Sequence, residues 1–153
     1  MSRRVARELA LRALFMVAQG RAEPSTAIAQ AAASLPRARS ANPQFVDQLV
    51  TGTLGAVEEI DQAVQPHLHG WGSAQMPVVD RTVLRLAAYE LLYTGEPVGA
   101  VVSEAVALAR QYSTPDSGRY VNGVLGALAR SRSQPADNRS AAAVTLEDSP
   151  EPQ

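Results

Sequence analysis

Apolar residues recur at three- and four-residue spacing along most of the chain, and this period is that of an α-helix. The most apolar stretch, residues 76–93, leaves only a narrow polar stripe that carries Arg81 and Arg85. Its apolar positions at helical spacing are Val79, Val83, Leu86, Ala87 and Leu91. A helix with so little polar surface is expected to lie at the centre of the fold, in contact with neighbours on most sides.

The same period predicts further helices on both sides of this central one. They cover residues 3–19, 24–35, 43–66, 97–112 and 114–130, and residues 37–43 are expected to form a loop. Gly20 is expected to end the first of them, and Asn42 to cap the third with Pro43 in its first turn. Because no stretch alternates between apolar and polar residues as a half-buried strand does, the sequence predicts an all-α fold of about six or seven helices.

Two glycines lie inside the predicted helix 43–66. Gly52 and Gly55 are three positions apart, so both can allow another helix to come close. Each costs about 1 kcal/mol of helix propensity relative to alanine. A close helix contact is therefore expected at this face.

The length and composition exclude several classes of protein. With 153 residues, 46% of them apolar, the chain can form one domain with a proper core. It has no run of about 18 apolar residues free of charge, so no membrane span is expected. Arginines interrupt the N-terminal segment, which argues against a secretory signal, and a cytoplasmic protein is expected. The absence of cysteine excludes disulfides, thiolate catalysis and cysteine-based zinc sites.

The distribution of charge along the chain is more informative than the net charge. All 14 basic residues are arginine, whose planar guanidinium suits phosphates and base edges. Residues 1–130 hold 12 arginines against 11 acidic residues, a net charge of +1, and residues 131–153 have a net charge of −2. The second segment is rich in Ser, Pro, Asp and Glu, so a disordered tail is expected there. The nearly neutral folded part argues against a strong nucleic-acid binder acting alone.

No set of residues suggests catalysis or a cofactor. The chain contains neither a phosphate-binding loop nor a nucleophile motif, and its carboxylates are spread over the predicted helices. His67 and His69 stand two positions apart, but no third ligand completes a metal site. Trp71, between two glycines, is expected to cover the edge of the core.

Arginine clusters suggest binding to a polyanion. Arg3, Arg4 and Arg7 lie within two turns of the first helix, where they form either a solvated, ion-paired face or a phosphate-binding patch. Arg119 and Tyr120, in the last helix, are candidate RNA contacts because guanidinium and aromatic planes stack on unpaired bases. Tyr120 can equally belong to the core. For Asn122 we expect a structural bond to backbone.

Three segments together resemble the NusB family of bacterial transcription antitermination factors. The first is RVARELA at residues 4–10 with ALF at 13–15, and the second is VDR at 79–81 with LRL at 84–86 and YEL at 89–91. The third and most specific has EAV at 104–106, LA at 108–109, DS at 116–117 and YVNGVL at 120–125. The resemblance covers residues 3–130 in order.

This resemblance implies an RNA-binding helical domain over residues 1–130. Its N-terminal lobe would cover about 1–70 and its C-terminal lobe about 71–130. The resemblance also implies a partner, the small-subunit ribosomal protein NusE, with which such proteins recognise single-stranded boxA RNA. The complex helps RNA polymerase to read through terminators, notably in ribosomal RNA transcription.

The resemblance also implies roles for particular residues. The implied RNA contacts are Arg3, Arg4, Arg7, Asp116, Arg119 and Tyr120. Asp80, at the expected exposed start of the central helix, would face the protein partner, together with Arg81 and Arg85. Val5 stands where family members often have another arginine, so the basic patch is thin. With three to five phosphate contacts the logarithmic salt slope would be about −2 to −3.5, and RNA affinity without the partner is expected to be weak.

Two other functions are compatible with the sequence. The first is a helical protein-interaction module or homodimer whose second copy covers the arginine-rich face. The second is the helical domain found at the N-terminus of some RNA cytosine methyltransferases. No methyltransferase domain follows here, so that interpretation requires a truncated chain.

Overall fold

The computed structural model describes residues 1–70 and 75–133, and all secondary structure in these ranges is helical. The expectations for Trp71 and for the tail lie outside the described residues. These ranges contain seven α-helices: α1 (Arg3–Ala18), α2 (Pro24–Ser34), α3 (Pro43–Gly55), α4 (Val57–Val64), α5 (Val78–Tyr93), α6 (Val98–Tyr112) and α7 (Pro115–Ser133). The predicted all-α class and helix number are confirmed.

Local chemistry explains several helix ends. The Ser2 side chain caps α1 by accepting a hydrogen bond from the Val5 backbone N–H at 3.1 Å. Gly20 follows α1 with φ at 71°, a left-handed conformation that favours glycine. Asn42 caps α3 as predicted, accepting from the Gln44 N–H at 2.9 Å. Thr114 accepts a hydrogen bond from the Ser117 backbone N–H at the start of α7.

The prediction of one helix over residues 43–66 is wrong. The backbone leaves the helical region at Ala56, with φ −114° and ψ 19°, and this residue separates α3 from α4. Gly55 immediately precedes the break, as expected of a residue that often ends helices. The predicted loop over 37–43 is also partly wrong, because Pro36–Ser40 form a short 3₁₀ helix.

Helix α5 is the centre of the molecule, as its apolar pattern predicts. It packs against α1, α3, α4, α6 and α7, and the buried apolar residues form one core cluster around it. Gly52 allows α3 to approach closely, since a Cβ there would lie 2.3 Å from the Tyr89 ring. Gly55 has no atom within 4 Å of the corresponding position, so its expected contact is absent.

Helix α1 is buried on more sides than its pattern predicts. Apolar residues recur on the side of α1 that carries Val5, Leu9 and Ala13, but Glu8 and Leu11, on the opposite side, are also buried. The reason is that α6, distant in sequence, packs against this side of α1.

None of the helices within residues 1–70 and 75–133 has the length and apolar character needed to cross a membrane.

Candidate nucleic-acid interface

Helices α1 and α6 lie side by side and run in the same direction. Arg4 of α1 contacts Glu104 of α6 at 3.0 Å, and one turn later Glu8 accepts a hydrogen bond from Gln111 at 3.2 Å. We call this line of side-chain contacts, from Arg4 to Tyr112, the α1–α6 seam. At 1.5 Å per residue, the eight residues from Glu104 to Tyr112 span about 12 Å.

Two predicted arginines stand exposed at the start of the seam. The Arg4 side chain is 72% exposed and pairs with Glu104. Arg3 is 53% exposed, its Nη2 lies 3.2 Å from Glu96, and its guanidinium carbon lies 4.0 Å from the centre of the Phe45 ring. The carboxylate of Glu104 raises the pKa of Arg4 through a hydrogen bond and through its charge. Both guanidinium groups, which remain protonated in proteins, lie at the surface.

Arg7, the third predicted arginine, is buried. Its side chain is 5% exposed and makes a two-pronged ion pair with Glu90 of α5, with nitrogen–oxygen distances near 2.9 Å. A further contact reaches Glu96 at 3.2 Å. Burial lowers the pKa of Arg7, but these carboxylates raise it by more, so the group is charged. Arg7 therefore links α1 to α5, and its guanidinium already has carboxylate partners.

A buried carboxylate, Glu8, organises the middle of the seam. It accepts hydrogen bonds from the Tyr112 hydroxyl at 2.5 Å and from Arg37 at 2.7 Å. Burial raises the pKa of Glu8, but these donors lower it by more, so the net shift is downward. Arg12 donates to the Tyr112 hydroxyl at 2.8 Å and remains 30% exposed.

Sequence reasoning missed Arg12 and Arg37 as part of this surface. Arg12 lies four residues after Glu8, which indicated only an ordinary helical ion pair. Arg37 lies in a segment expected to be loop, and no periodic signal connects it to α1. Its side chain is 57% exposed, so it adds positive charge beside the seam.

The predicted residues of α7 lie close to the far end of the seam. Helix α7 begins three residues after α6 ends, and a Cβ at Gly118 would lie 2.7 Å from Cγ of Arg110. Asp116 and Arg119 are both exposed and form an ion pair with each other. The start of α7 therefore brings Arg119 to the end of α6 that lies opposite Arg4.

Tyr120 and Asn122 differ in exposure. Tyr120 is partly buried and packs against the core cluster. The net pKa shift of Tyr120 is upward. Burial raises this pKa most, and the charge of Asp80 raises it further, while a hydrogen bond with the backbone of His69 lowers it. Asn122 is exposed, and the described contacts include no hydrogen bond from its side chain to backbone.

The expectation that Asp80 is exposed is wrong. It is 1% exposed, and its Oδ2 accepts a hydrogen bond from the Ser117 hydroxyl at 2.7 Å. The start of α5 is covered by the start of α7, which sequence periodicity could not reveal. Arg81 and Arg85 are partly exposed and line a cavity of about 260 Å³ beside α4, where Arg85 pairs with Asp61 at 2.7 Å.

Within the described ranges, no three acidic or histidine side chains are grouped closely enough to hold a metal ion.

The chain is similar to proteins of a known family. The model of the NusB family matches residues 4–130. The transcription antitermination protein NusB of Symbiobacterium thermophilum is 41% identical over 138 residues, covering 85% of this chain and 90% of its own. That of Desulforamulus reducens is 39% identical, covering 89% and 95%.

Solved structures share the fold. NusB from T. maritima superposes with a TM-score of 0.73 at 28% identity, covering 85% of this chain and 92% of its own. A crystal structure of antitermination factors NusB and NusE in complex with double-stranded RNA matches with a TM-score of 0.72 at 25% identity, covering 84% and 96%. The family model, the close relatives and the shared fold together establish that this chain belongs to the NusB family.

Proposed function

We propose that this chain is a transcription antitermination factor that binds boxA-type single-stranded RNA together with NusE. In this role it promotes read-through of terminators by RNA polymerase, notably in ribosomal RNA transcription. The observation that carries the proposal is the match to a NusB structure determined with NusE and RNA, over 84% of this chain.

The exposed arginines support an RNA surface along the α1–α6 seam. Arg3, Arg4 and Arg119 are each more than half exposed. Arg119 pairs with the exposed Asp116, and Arg3 and Arg4 pair with Glu96 and Glu104, which are 17% exposed. Because the arginine of each pair is exposed, these pairs contribute little to folding stability, and a phosphate can replace the carboxylate at small cost. Arg12 and Arg37 would add contacts between the two ends.

The same pairing explains why affinity without a partner is expected to be weak. Each phosphate must compete with a carboxylate already in contact with the arginine, and the carboxylate then repels the RNA. A second protein that supplies its own basic surface raises the affinity for RNA. We propose that NusE does so, and that Arg81 and Arg85, beside the 260 Å³ cavity, contribute to its binding.

Two predicted residues receive a different role in the proposal. Arg7 fixes α1 against α5 through Glu90, and Asp80 fixes the start of α7 through Ser117. Both would act on RNA or on the partner by positioning the exposed residues near them. Tyr120, packed on the core, would flank the RNA with part of its ring.

The proposal assigns no catalytic step to the chain and places it in the cytoplasm, where bacterial transcription takes place. Its two lobes, residues 1–70 and 71–130, would act as one unit, since the core cluster includes residues of both.

The test is equilibrium binding of a boxA oligonucleotide, a scrambled strand and a boxA duplex, each with and without NusE. We expect the boxA strand to bind most tightly and only weakly without NusE. Equal affinity for boxA and scrambled strands would contradict the proposal, as would equal affinity with and without NusE. Salt-dependent self-association that blocks RNA binding would instead favour the homodimer.

A further inference from the structure

A groove lies beside Arg3, at the start of α1. It has a volume of about 480 Å³ and lies between the start of α1, the first turns of α3 and the turn that joins α5 to α6. Its lining includes Arg3, Phe45, Gln48, Tyr93 and Glu96. Arg3 therefore belongs both to the predicted RNA contacts and to this groove.

Tyr93 is unusual among the residues that the structure describes. It is 51% exposed, and the other exposed large apolar side chains there, Met1 and Val98, are not aromatic. One side of its ring stacks on Tyr89, with centres 5.7 Å apart and planes inclined by 27°. Tyr89 is itself buried against Gly52, so the Tyr93 ring is held on a rigid support.

The acidic residue of the groove is paired with two arginines, which limits its repulsion of a polyanion. Glu96 is its acidic residue, and both carboxylate oxygens are engaged, one by Arg3 and the other by Arg7, each at 3.2 Å. Arg3 in turn lies over the Phe45 ring, which fixes the direction of its charge. Exposed Gln44 and Gln48 offer amide donors and acceptors to base edges.

We propose that Tyr93 is a stacking platform for an unpaired base of an RNA strand that continues past Arg3 into this groove. The inference rests on the proposed function and extends its footprint: the strand would follow the α1–α6 seam, contact Arg3 with a phosphate and place a following base on Tyr93. Stacking on an exposed aromatic ring tolerates any base, so this contact adds affinity without adding sequence specificity.

The test compares two RNA lengths on the NusE-bound protein. One oligonucleotide carries boxA alone, and two others carry it with four extra nucleotides at the 5′ or the 3′ end. We expect one extension to tighten binding to the wild-type protein, and Tyr93→Ala to remove that gain, a loss of about tenfold. Tyr93→Phe should keep the gain because the ring remains. Val98→Ala, at an equally exposed residue outside the groove, is the matched control.

The outcomes separate this inference from the proposed function. If the wild-type protein binds boxA but neither extension changes affinity, or if Tyr93→Ala weakens all three RNAs equally, the platform is refuted and the proposed function stands. If Tyr93→Ala instead weakens NusE binding, the groove belongs to a protein partner and the inference is again refuted. Failure of every boxA RNA to bind refutes both.

Discussion

Arg4 and Arg7 are three positions apart on α1, yet their surroundings give them different roles. Arg4 is mostly exposed and pairs with a carboxylate that is itself near the surface. Arg7 is buried against Glu90, which is 1% exposed. Their spacing in the sequence predicted that they form one cluster. Spacing along a helix does not show which of its residues another helix will cover.

At Arg7 we predict a loss of stability. Arg7→Ala leaves Glu90 buried without its cation, which typically costs about 3–5 kcal/mol of unfolding free energy. Arg21→Ala, at an exposed arginine beyond the end of α1, should change it by no more than about 0.5 kcal/mol. Urea unfolding followed by circular dichroism measures both.

A double variant tests the cause. Arg7→Met with Glu90→Leu removes both charges, so it should recover much of the stability that Arg7→Ala loses. If Arg7→Ala left the unfolding free energy unchanged but lowered RNA affinity, Arg7 would be an RNA contact and the positioning role would be wrong.

At the scale of the elements, the sequence predicted which segments form helices far better than how those helices face one another. Periodicity and capping residues located α1, α2 and α5–α7 to within a few residues, because these signals are local. The break at Ala56 and the burial of Glu8 were missed. The second depends on α6, about 100 positions away in the chain, and no local pattern contains that contact.

The close approach of α3 and α5 gives a prediction with an internal control. Gly52→Ala places a methyl group against the Tyr89 ring, and overpacking of this kind costs about 1–3 kcal/mol despite a gain of about 1 kcal/mol in helix propensity. Gly55→Ala meets no atom within 4 Å and should be neutral or slightly stabilising. Thermal unfolding of the two variants checks this, and equal midpoints would contradict the packing described.

The link between α1 and α6 should depend on pH through Glu8. Its folded-state pKa is lowered, so its contribution to stability is present above the unfolded pKa of about 4.3 and is lost as pH falls through the lower folded value. Glu8→Gln should therefore cost about 1–3 kcal/mol at pH 7. This difference from the wild-type protein should shrink below about pH 4.3. Urea unfolding at several pH values measures it, and a difference independent of pH would show that the carboxylate charge is not involved.

At the scale of the whole molecule, the parallel arrangement of α1 and α6 determines how far apart the exposed arginines lie. Because α7 begins three residues after α6 ends, Arg119 lies near the end of α6 that is about 12 Å along the helix axis from Glu104, the partner of Arg4. The types of the exposed residues were largely predictable from the sequence and the family resemblance. The distance between the exposed arginines was not, since it depends on the direction in which α6 runs beside α1.

The most direct test of this surface is the salt dependence of boxA binding by the NusE-bound protein. If Arg4 and Arg119 each contact a phosphate of one strand, Arg4→Ala and Arg119→Ala should each make the logarithmic salt slope about 0.7 less negative, and the double variant about 1.4. Arg21→Ala should leave the slope unchanged. Slopes equal to that of the wild-type protein in all three seam variants would contradict a single strand that contacts both ends of the seam.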